Sequence, residues 1–499
     1  MLELAFTPDR RDVRPLYRQL GGYLRDLIEA DRLPAGGKLP ATRELAASLG
    51  LSRTTVSLAY DDLIGAGLLT AHVGQGTFVA ARPAGAAQRA SLAAVDGRQF
   101  VWPGLLAARA RALAVPPSLI PHVAEPPRFD FRGGRVDLDS LPAGELKRAF
   151  AEAIAEQLPA LVADRDPRGW APLREAVARY LVARGIACAP REVLIVNGGQ
   201  HAIDLVARVL LDPGDTVVME QPGYFGAALA FTAAQAHIVG ARVDEDGVRV
   251  DELARILRAR RAKLVYTTPA AQSPTGAILS DERRRALLAL ADEVQVPVFE
   301  DDYDSELRYE GAPIAALKTR DRAGQVIYAG TFSKVLFPTL RIGYVVAAPP
   351  LLEKMLLARW NTDVASSTIT QAALATLLER GGLERHLRRV RKIYAARLAA
   401  MLGALAEHMP DGVTWTTPRG GHAIWLTLPS TVDGDALAVA AAEASIAVPR
   451  GDAFFVDGRG SDNLHLAFAA VAPATIHEGI ARLAQLVRVH TARRRRSAR

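Results

Sequence analysis

Residues 331–344 read Thr331-Phe-Ser-Lys-Val-Leu-Phe-Pro-Thr-Leu-Arg-Ile-Gly-Tyr344, between two apolar strand candidates, Gln325 to Ala329 and Ile342 to Ala347. This places Lys334 and Arg341 on one short, turn-rich segment. A lysine beside hydroxyls and an apolar wall gives up its proton more readily and attacks a carbonyl, which is how a Schiff-base lysine is made. An arginine fork a few residues on suits a pair of phosphate oxygens. An aldehyde that also carries a phosphate describes pyridoxal 5'-phosphate (PLP). On its own a Ser-Lys pair in a loop is a common surface feature, so the reading rests on the rest of the chain.

Four further segments fit that chemistry in chain order. Val196-Asn-Gly-Gly-Gln-His-Ala-Ile-Asp204 reads as a strand end, a glycine turn and a helix start, which offers amides and a dipole to a phosphate. Glu220-Gln-Pro-Gly-Tyr224 presents a ring able to stack on a pyridine, and Thr267 to Gly276 reads as a tight loop beside the site. Glu300-Asp-Asp-Tyr-Asp-Ser-Glu306 falls at the carboxyl end of a strand, where open α/β sheets bind ligands. An aspartate there pairs with a pyridinium nitrogen and keeps the ring an electron sink.

The elements that must position these groups follow from apolar runs alternating with amphipathic helices from Phe129 onward. The runs are Glu192 to Val196, Thr216 to Met219, Lys263 to Thr267, Val296 to Phe299, Gln325 to Ala329 and Ile342 to Ala347. They predict an α/β domain with a buried, mostly parallel sheet covered on both faces. A helix-rich stretch after Leu351 and a last strand group, Trp415 to Leu428 and Leu464 to Phe468, predict a small C-terminal α+β lobe.

The first 80 residues follow a different plan. A helix from Pro15 to Ala30, a break at Pro34-Ala-Gly-Gly37, a helix from Thr42 to Leu49, a turn at Gly50 and a helix capped by Ser52 precede two short strands around Gly74-Gln-Gly76. That is a winged helix-turn-helix. Ser52, Arg53, Thr54 and Thr55 open the second helix of the motif, where side chains reach base edges and amides reach phosphates. Arg43 on the preceding helix is placed for a phosphate or a guanine, and Gly74 lies in the wing. Double-stranded operator DNA is the expected partner.

Composition narrows the setting. The chain has 499 residues, 49% hydrophobic and 23% charged, which predicts two or three folded domains and no long disorder. Charges interrupt every long apolar run, so no membrane span is expected, and no secretory signal is visible. The single cysteine, Cys188, excludes an internal disulfide and a cysteine-built metal site. A cytoplasmic protein is expected. The net charge of +7 lies largely in the tail Arg493-Arg-Arg-Arg-Ser-Ala-Arg499, read as a solvated end, and in the stretch near residues 82 to 111. The expected boundaries are 12–80 for the winged helix, 81–127 for an Ala/Pro/Gly/Arg-rich linker, 128–490 for the large domain and 491–499 for the basic tail.

Residues 39–56, LPATRELAASLGLSRTTV, and the wing GQGTFVA closely resemble the GntR family of winged helices. Roughly residues 129–490 resemble fold-type I aminotransferases, and the fusion of the two resembles the MocR subfamily of bacterial transcription regulators. The resemblance implies that Lys334 is the Schiff-base lysine, Asp301 the partner of the ring nitrogen, Tyr303 the partner of the ring hydroxyl and Tyr224 the stacking ring. It implies that Gly199, Gln200, Thr331 and Arg341 hold the phosphate, and that the large domain is a homodimer. The chain departs from the family at three places. His465 replaces the arginine that clamps an amino acid's α-carboxylate, Asp164 replaces a tyrosine that reaches the neighbouring subunit's phosphate, and Ala271 replaces a histidine. The function expected from the whole is a PLP-binding, ligand-responsive transcription regulator rather than an enzyme. Its signal would be PLP itself, as in members that control vitamin B6 synthesis. The alternatives are a regulator that senses an amino acid or amine through the bound cofactor, and an active aminotransferase carrying a DNA-binding domain.

Overall fold

The computed structural model describes residues 6, 8, 15–29, 32–34, 36–65, 68–72, 76–80, 105–114, 126–164 and 166–497. The chain divides into two compact units, Met1–Ala112 and Leu113–Arg499, so the division falls within the expected linker. Much of that linker, with Gly74 and Arg165, lies outside the described residues.

In the first unit, helix α1 (Leu16–Glu29) carries leucines spaced by about a turn, and Leu20 and Leu24 are fully buried. Each such burial contributes about 1.5 to 3 kcal/mol. Helix α2 (Thr42–Leu49) stops at Gly50, whose φ of 63° is the left-handed conformation that ends a helix cheaply. Helix α3 (Arg53–Gly65) starts where the Ser52 hydroxyl accepts the Thr55 N–H at 3.1 Å, a cap worth about 1 kcal/mol. Strands β1 (Leu69–His72) and β2 (Gly76–Val79) form the antiparallel wing, with Leu69 opposite Val79. Residues 36–39 add a short third edge, in which Leu39 N–H donates to the Thr77 carbonyl at 2.8 Å. Val56, Ala59, Tyr60 and Leu63 of α3 close the core against α1 and α2, and the Tyr60 hydroxyl donates to the Pro40 carbonyl at 2.9 Å. A short helix, α4 (Ala108–Ala112), lies in the linker.

The second unit begins with β3 (Phe129–Asp130), α5 (Ala143–Ala163) and α6 (Ala171–Val182). Then come β4 (Val193–Val196), α7 (Gly199–Leu210), β5 (Thr216–Gln221), α8 (Phe225–Ala233), β6 (His237–Asp244), β7 (Gly247–Val248), α9 (Val250–Ala259), β8 (Ala262–Thr267), α10 (Asp281–Val294), β9 (Val298–Asp302), β10 (Val326–Thr331) and β11 (Gly343–Val346). These strands make one eight-stranded sheet in the order β4-β11-β10-β9-β8-β5-β6-β7. Neighbours from β10 to β6 pair in parallel, and β11 runs against both β10 and β4. Helices cover both faces and leave two apolar layers beside the sheet.

The rest is α11 (Pro349–Trp360), α12 (Thr368–Glu379), α13 (Gly382–His408), β12 (Thr414–Trp415), β13 (Ala423–Thr427), α14 (Gly434–Glu443), β14 (Ile446–Ala447), β15 (Asn463–Ala467) and α15 (Pro473–Ser497). Strands β12-β13-β15 form a small antiparallel sheet, while β14 pairs in parallel with β3 and ties the lobe to the start of the unit. The fold class matches expectation. One correction concerns the basic tail: helix α15 runs on through Ser497, so most of the arginine run continues a helix instead of forming a loose end. None of the described helices is long and apolar enough to cross a membrane.

Candidate functional site

Five strands of the large sheet, β4, β5, β8, β9 and β10, deliver their carboxyl ends to one side, and β11, running the opposite way, starts there. Residues that follow those ends line a cavity of about 360 Å³ with Gly199, Gln200, Tyr224, Ser273, Asp301, Tyr303, Thr331, Ser333, Lys334 and Arg341 among its walls. Every residue that the resemblance assigns to the cofactor is therefore in one place.

One end of the cavity is built for an anion. The turn after β4 places Gly198 at φ 84°, just ahead of α7, and the Arg341 guanidinium lies over it. A β-carbon on Gly198 would sit 3.1 Å from an Arg341 nitrogen and press on the fork, and the φ of 84° itself favours glycine. Arg341 donates to the Asn197 carbonyl at 2.6 Å, which holds its charge beside the first-turn amides of Gly199 and Gln200. The Gln200 side chain is spent elsewhere, donating to the Gly226 carbonyl at 2.7 Å and accepting from the Tyr224 hydroxyl at 3.2 Å. Thr331 Oγ1 accepts the Ser333 N–H at 3.2 Å. The Ser333 hydroxyl is buried in the wall with no hydrogen-bond partner, a group that calls for one. Ser333 has no assigned role in the sequence reading, although it sits inside the segment that singles out Lys334.

The other wall holds the titratable groups. Asp301 accepts the Tyr266 hydroxyl at 2.6 Å, and burial pushes its carboxyl up to about 7, against the lowering effect of that bond. Burial lowers the Lys334 ammonium, while the Asp304 and Asp301 carboxyls pull it back. Burial lifts the Tyr224 hydroxyl to about 12 and the Tyr303 hydroxyl well above its usual value. Glu220, at the end of β5, accepts the Thr268 N–H at 3.1 Å and the Thr268 hydroxyl at 2.7 Å, and so pins the loop that carries Ser273.

The side facing the small lobe was only partly legible in the sequence. His422, next to a glycine pair before β13, stands 3.3 Å from Asp304 and meets the Tyr303 ring edge-on at a centroid distance of 5.8 Å. His465, on β15, lies 6.5 Å from the His422 ring and 5.3 Å from Phe454. Burial lowers both imidazoles to about 3, and neither Nδ1 has a hydrogen-bond partner. Arg132 also lines the cavity, with one edge of its guanidinium paired to Asp130 at 2.8 and 2.7 Å. Neutral imidazoles thus occupy the place where the resemblance leads one to expect a guanidinium. Asp164, at the end of α5, and Ala271 do not line the cavity.

The histidines make a testable pH signature. His465 is neutral in the folded chain but takes up a proton when unfolded below about 6.5. Its contribution is complete above that value and is lost as pH falls toward 3. The raised carboxyls of Asp301 and Glu300 act in the opposite sense, so the comparison must be with a variant. Wild type should lose stability relative to His465→Gln between pH 6.5 and 4, by at most about 1.4 kcal/mol per pH unit. Parallel denaturation midpoints across that window would reject a neutral buried His465.

In the first unit, Arg43, Ser52, Arg53 and Thr54 are exposed on α2 and at the start of α3. Ser52 and Thr55 share a hydroxyl contact at 2.8 Å besides the cap, so these two side chains set the start of the helix while Arg53 and Thr54 point their chemistry outward. Lys38 packs its ammonium 5.7 Å from the Phe78 ring centre at the root of the wing.

Comparison with known proteins separates the same two units. The family described as bacterial regulatory proteins, gntR family, matches residues 16–79, and the family aminotransferase class I and II matches residues 140–483. The chain is 34% identical over 473 residues to the probable rhizopine catabolism regulatory protein MocR of Rhizobium meliloti, covering 95% of this chain and 94% of that one. It is also 34% identical to the HTH-type transcriptional regulator TauR of Rhodobacter capsulatus, over 95% of this chain and 96% of that one. The crystal structure of the α-aminoadipate aminotransferase LysN of Thermus thermophilus, complexed with N-(5'-phosphopyridoxyl)-L-leucine, superposes with a TM-score of 0.73 at 32% identity, covering 79% of this chain and all of that one.

Proposed function

From its place among the MocR-type regulators of the gntR family, to which the chain belongs, we propose that the protein is a transcription regulator that binds PLP and responds to PLP itself as its signal. The observation that carries the reading is a cavity whose cofactor side is complete while, among the described residues, its substrate side offers only the Arg132 guanidinium, which is paired with Asp130. Lys334, the buried Asp301, the unpartnered Ser333 hydroxyl and the Arg341–Gly198 cradle fit the cofactor's aldehyde, ring nitrogen and phosphate. His465, neutral and buried, cannot supply the charge that an amino acid's carboxylate needs.

When bound, PLP supplies a reactive aldehyde and an electron-withdrawing ring. The chain's own groups do the rest. Lys334, its proton affinity lowered, presents an amine to the aldehyde. Asp301 would hold a proton on the ring nitrogen, and Tyr303 would bond the ring hydroxyl, with Tyr224 against the ring face. The amides of Gly199 and Gln200, the hydroxyls of Thr331 and Ser333 and the Arg341 fork would bind the phosphate. In the first unit, Arg43, Arg53 and Thr54 would contact the operator, with Ser52 and Thr55 ordering the helix start. We take the protein to act as a homodimer in the cytoplasm, so that two winged helices read repeated half-sites.

A second reading, an aminotransferase that carries a DNA-binding domain, draws on the lowered proton affinity of Lys334, which a catalytic lysine shares. An operator titration separates the two. A ligand shifts an equilibrium only by its differential affinity for the two states, so PLP alone should change operator affinity if it is the signal. Steady amino transfer between a common amino acid and a keto acid at about 1 per second or more would instead establish an enzyme. A response to amino acids or amines but not to PLP would move the signal to the substrate side of the cavity.

A further inference from the structure

We propose that Glu407, His408 and His477 form a binding site for a divalent transition-metal ion of the zinc type. The site lies outside the cofactor cavity and owes nothing to it. Glu407 and His408 are the last two residues of α13, and His477 follows the start of α15 by one turn. The two Nε2 atoms are 3.2 Å apart, with the rings steeply inclined at 79°. His477 Nε2 lies 3.1 Å from Glu407 Oε2, and His408 Nε2 lies 3.7 Å from Glu407 Oε1. Among the described residues this is the one group of three or more such side chains whose ligand atoms lie this close together.

The spacing is that of ligands around one ion. Two nitrogens held at about 2.0 to 2.1 Å by a tetrahedral zinc ion are about 3.3 Å apart. Protons alone serve the arrangement poorly. Each neutral imidazole carries one proton, so the facing Nε2 atoms need opposite tautomers, and a single Nε2–H must then serve both the other ring and Glu407. If both rings are charged, two cations meet at 3.2 Å. An ion takes a lone pair from all three groups at once. Two imidazoles and a carboxylate are a borderline-soft set that suits zinc, and they leave the fourth position for water. His477 and Glu407 are more than half exposed, which provides a path of entry. The nearby Arg488 guanidinium donates to the His408 carbonyl, which fixes the end of α13 against α15, although its charge opposes a cation. Bound zinc would clamp the start of α15 to the end of α13.

The test uses full-length protein without a histidine tag, titrated with Zn²⁺ against a chromogenic chelator, with thermal melting in parallel. Wild type should take up one ion per chain and melt at a higher temperature with zinc. His477→Ala and His408→Ala should each weaken binding roughly tenfold or more and lose the thermal shift. Because His477 is exposed, its replacement should spare the fold, and an unchanged PLP absorbance band checks this. Equal zinc affinity in wild type and His477→Ala, or no saturable binding by wild type, overturns the proposal.

Discussion

Lys334→Ala should still bind its operator but should no longer change its affinity when PLP is added. Lys334 holds no strand or helix in place; it stands on the loop between β10 and β11 with its amine facing the cavity. Removing it leaves the winged helix untouched and takes away the amine that bonds the aldehyde. Couplings between a ligand site and a second site are typically about 1 to 3 kcal/mol, or roughly 5- to 150-fold in affinity, and that whole factor should vanish. Borohydride should fix PLP to wild type at Lys334 and leave the variant unlabelled. An adduct on another lysine, or a variant that still responds in full, would remove Lys334 from the signal path.

Arg53→Ala should weaken operator binding by about 1 to 3 kcal/mol, the worth of a good arginine contact to a base, while the PLP absorbance stays as in wild type. Arg53 opens α3 on its exposed side, and the Ser52 cap that starts the helix does not depend on it. The loss is therefore one of contact and not of fold. The comparison must be made at one salt concentration, because phosphate contacts alone shift affinity by orders of magnitude as salt rises. Unchanged affinity would transfer the recognition role to other residues of the motif.

How much of this could be read in the chain varies with the kind of signal. The lysine segment, the glycine turn before α7 and the acidic run at the end of β9 are each contiguous in the chain, so each was legible, and the structure gathers them around one cavity. The buried strands β4, β5, β10 and β11 were legible as short, mostly apolar runs, and β8 and β9 from the apolar stretches Leu264 to Tyr266 and Val298 to Phe299, although Lys263 and the acids Glu300 to Asp302 flank them. Strand β6 was not, because His237, Arg242 and Asp244 interrupt it at the sheet margin, where much of it remains accessible. The two-residue strands β3 and β14 leave no periodicity to detect. His422 and Arg132 reach the cavity only through tertiary packing, and no local pattern marks them. The arginine tail misled because composition alone does not register that α15 is already running when the arginines begin.

The large sheet and the small one divide the cavity between them. Lys334, Asp301 and the Arg341–Gly198 turn hang from the ends of β4, β9, β10 and β11, whereas His422 and His465 belong to the neighbourhood of β13 and β15. Mutations can therefore accumulate on the small sheet and rewrite which molecule is recognised, while the large sheet goes on holding the same prosthetic group. The two halves of the cavity can answer to different selective pressures because no single strand serves both.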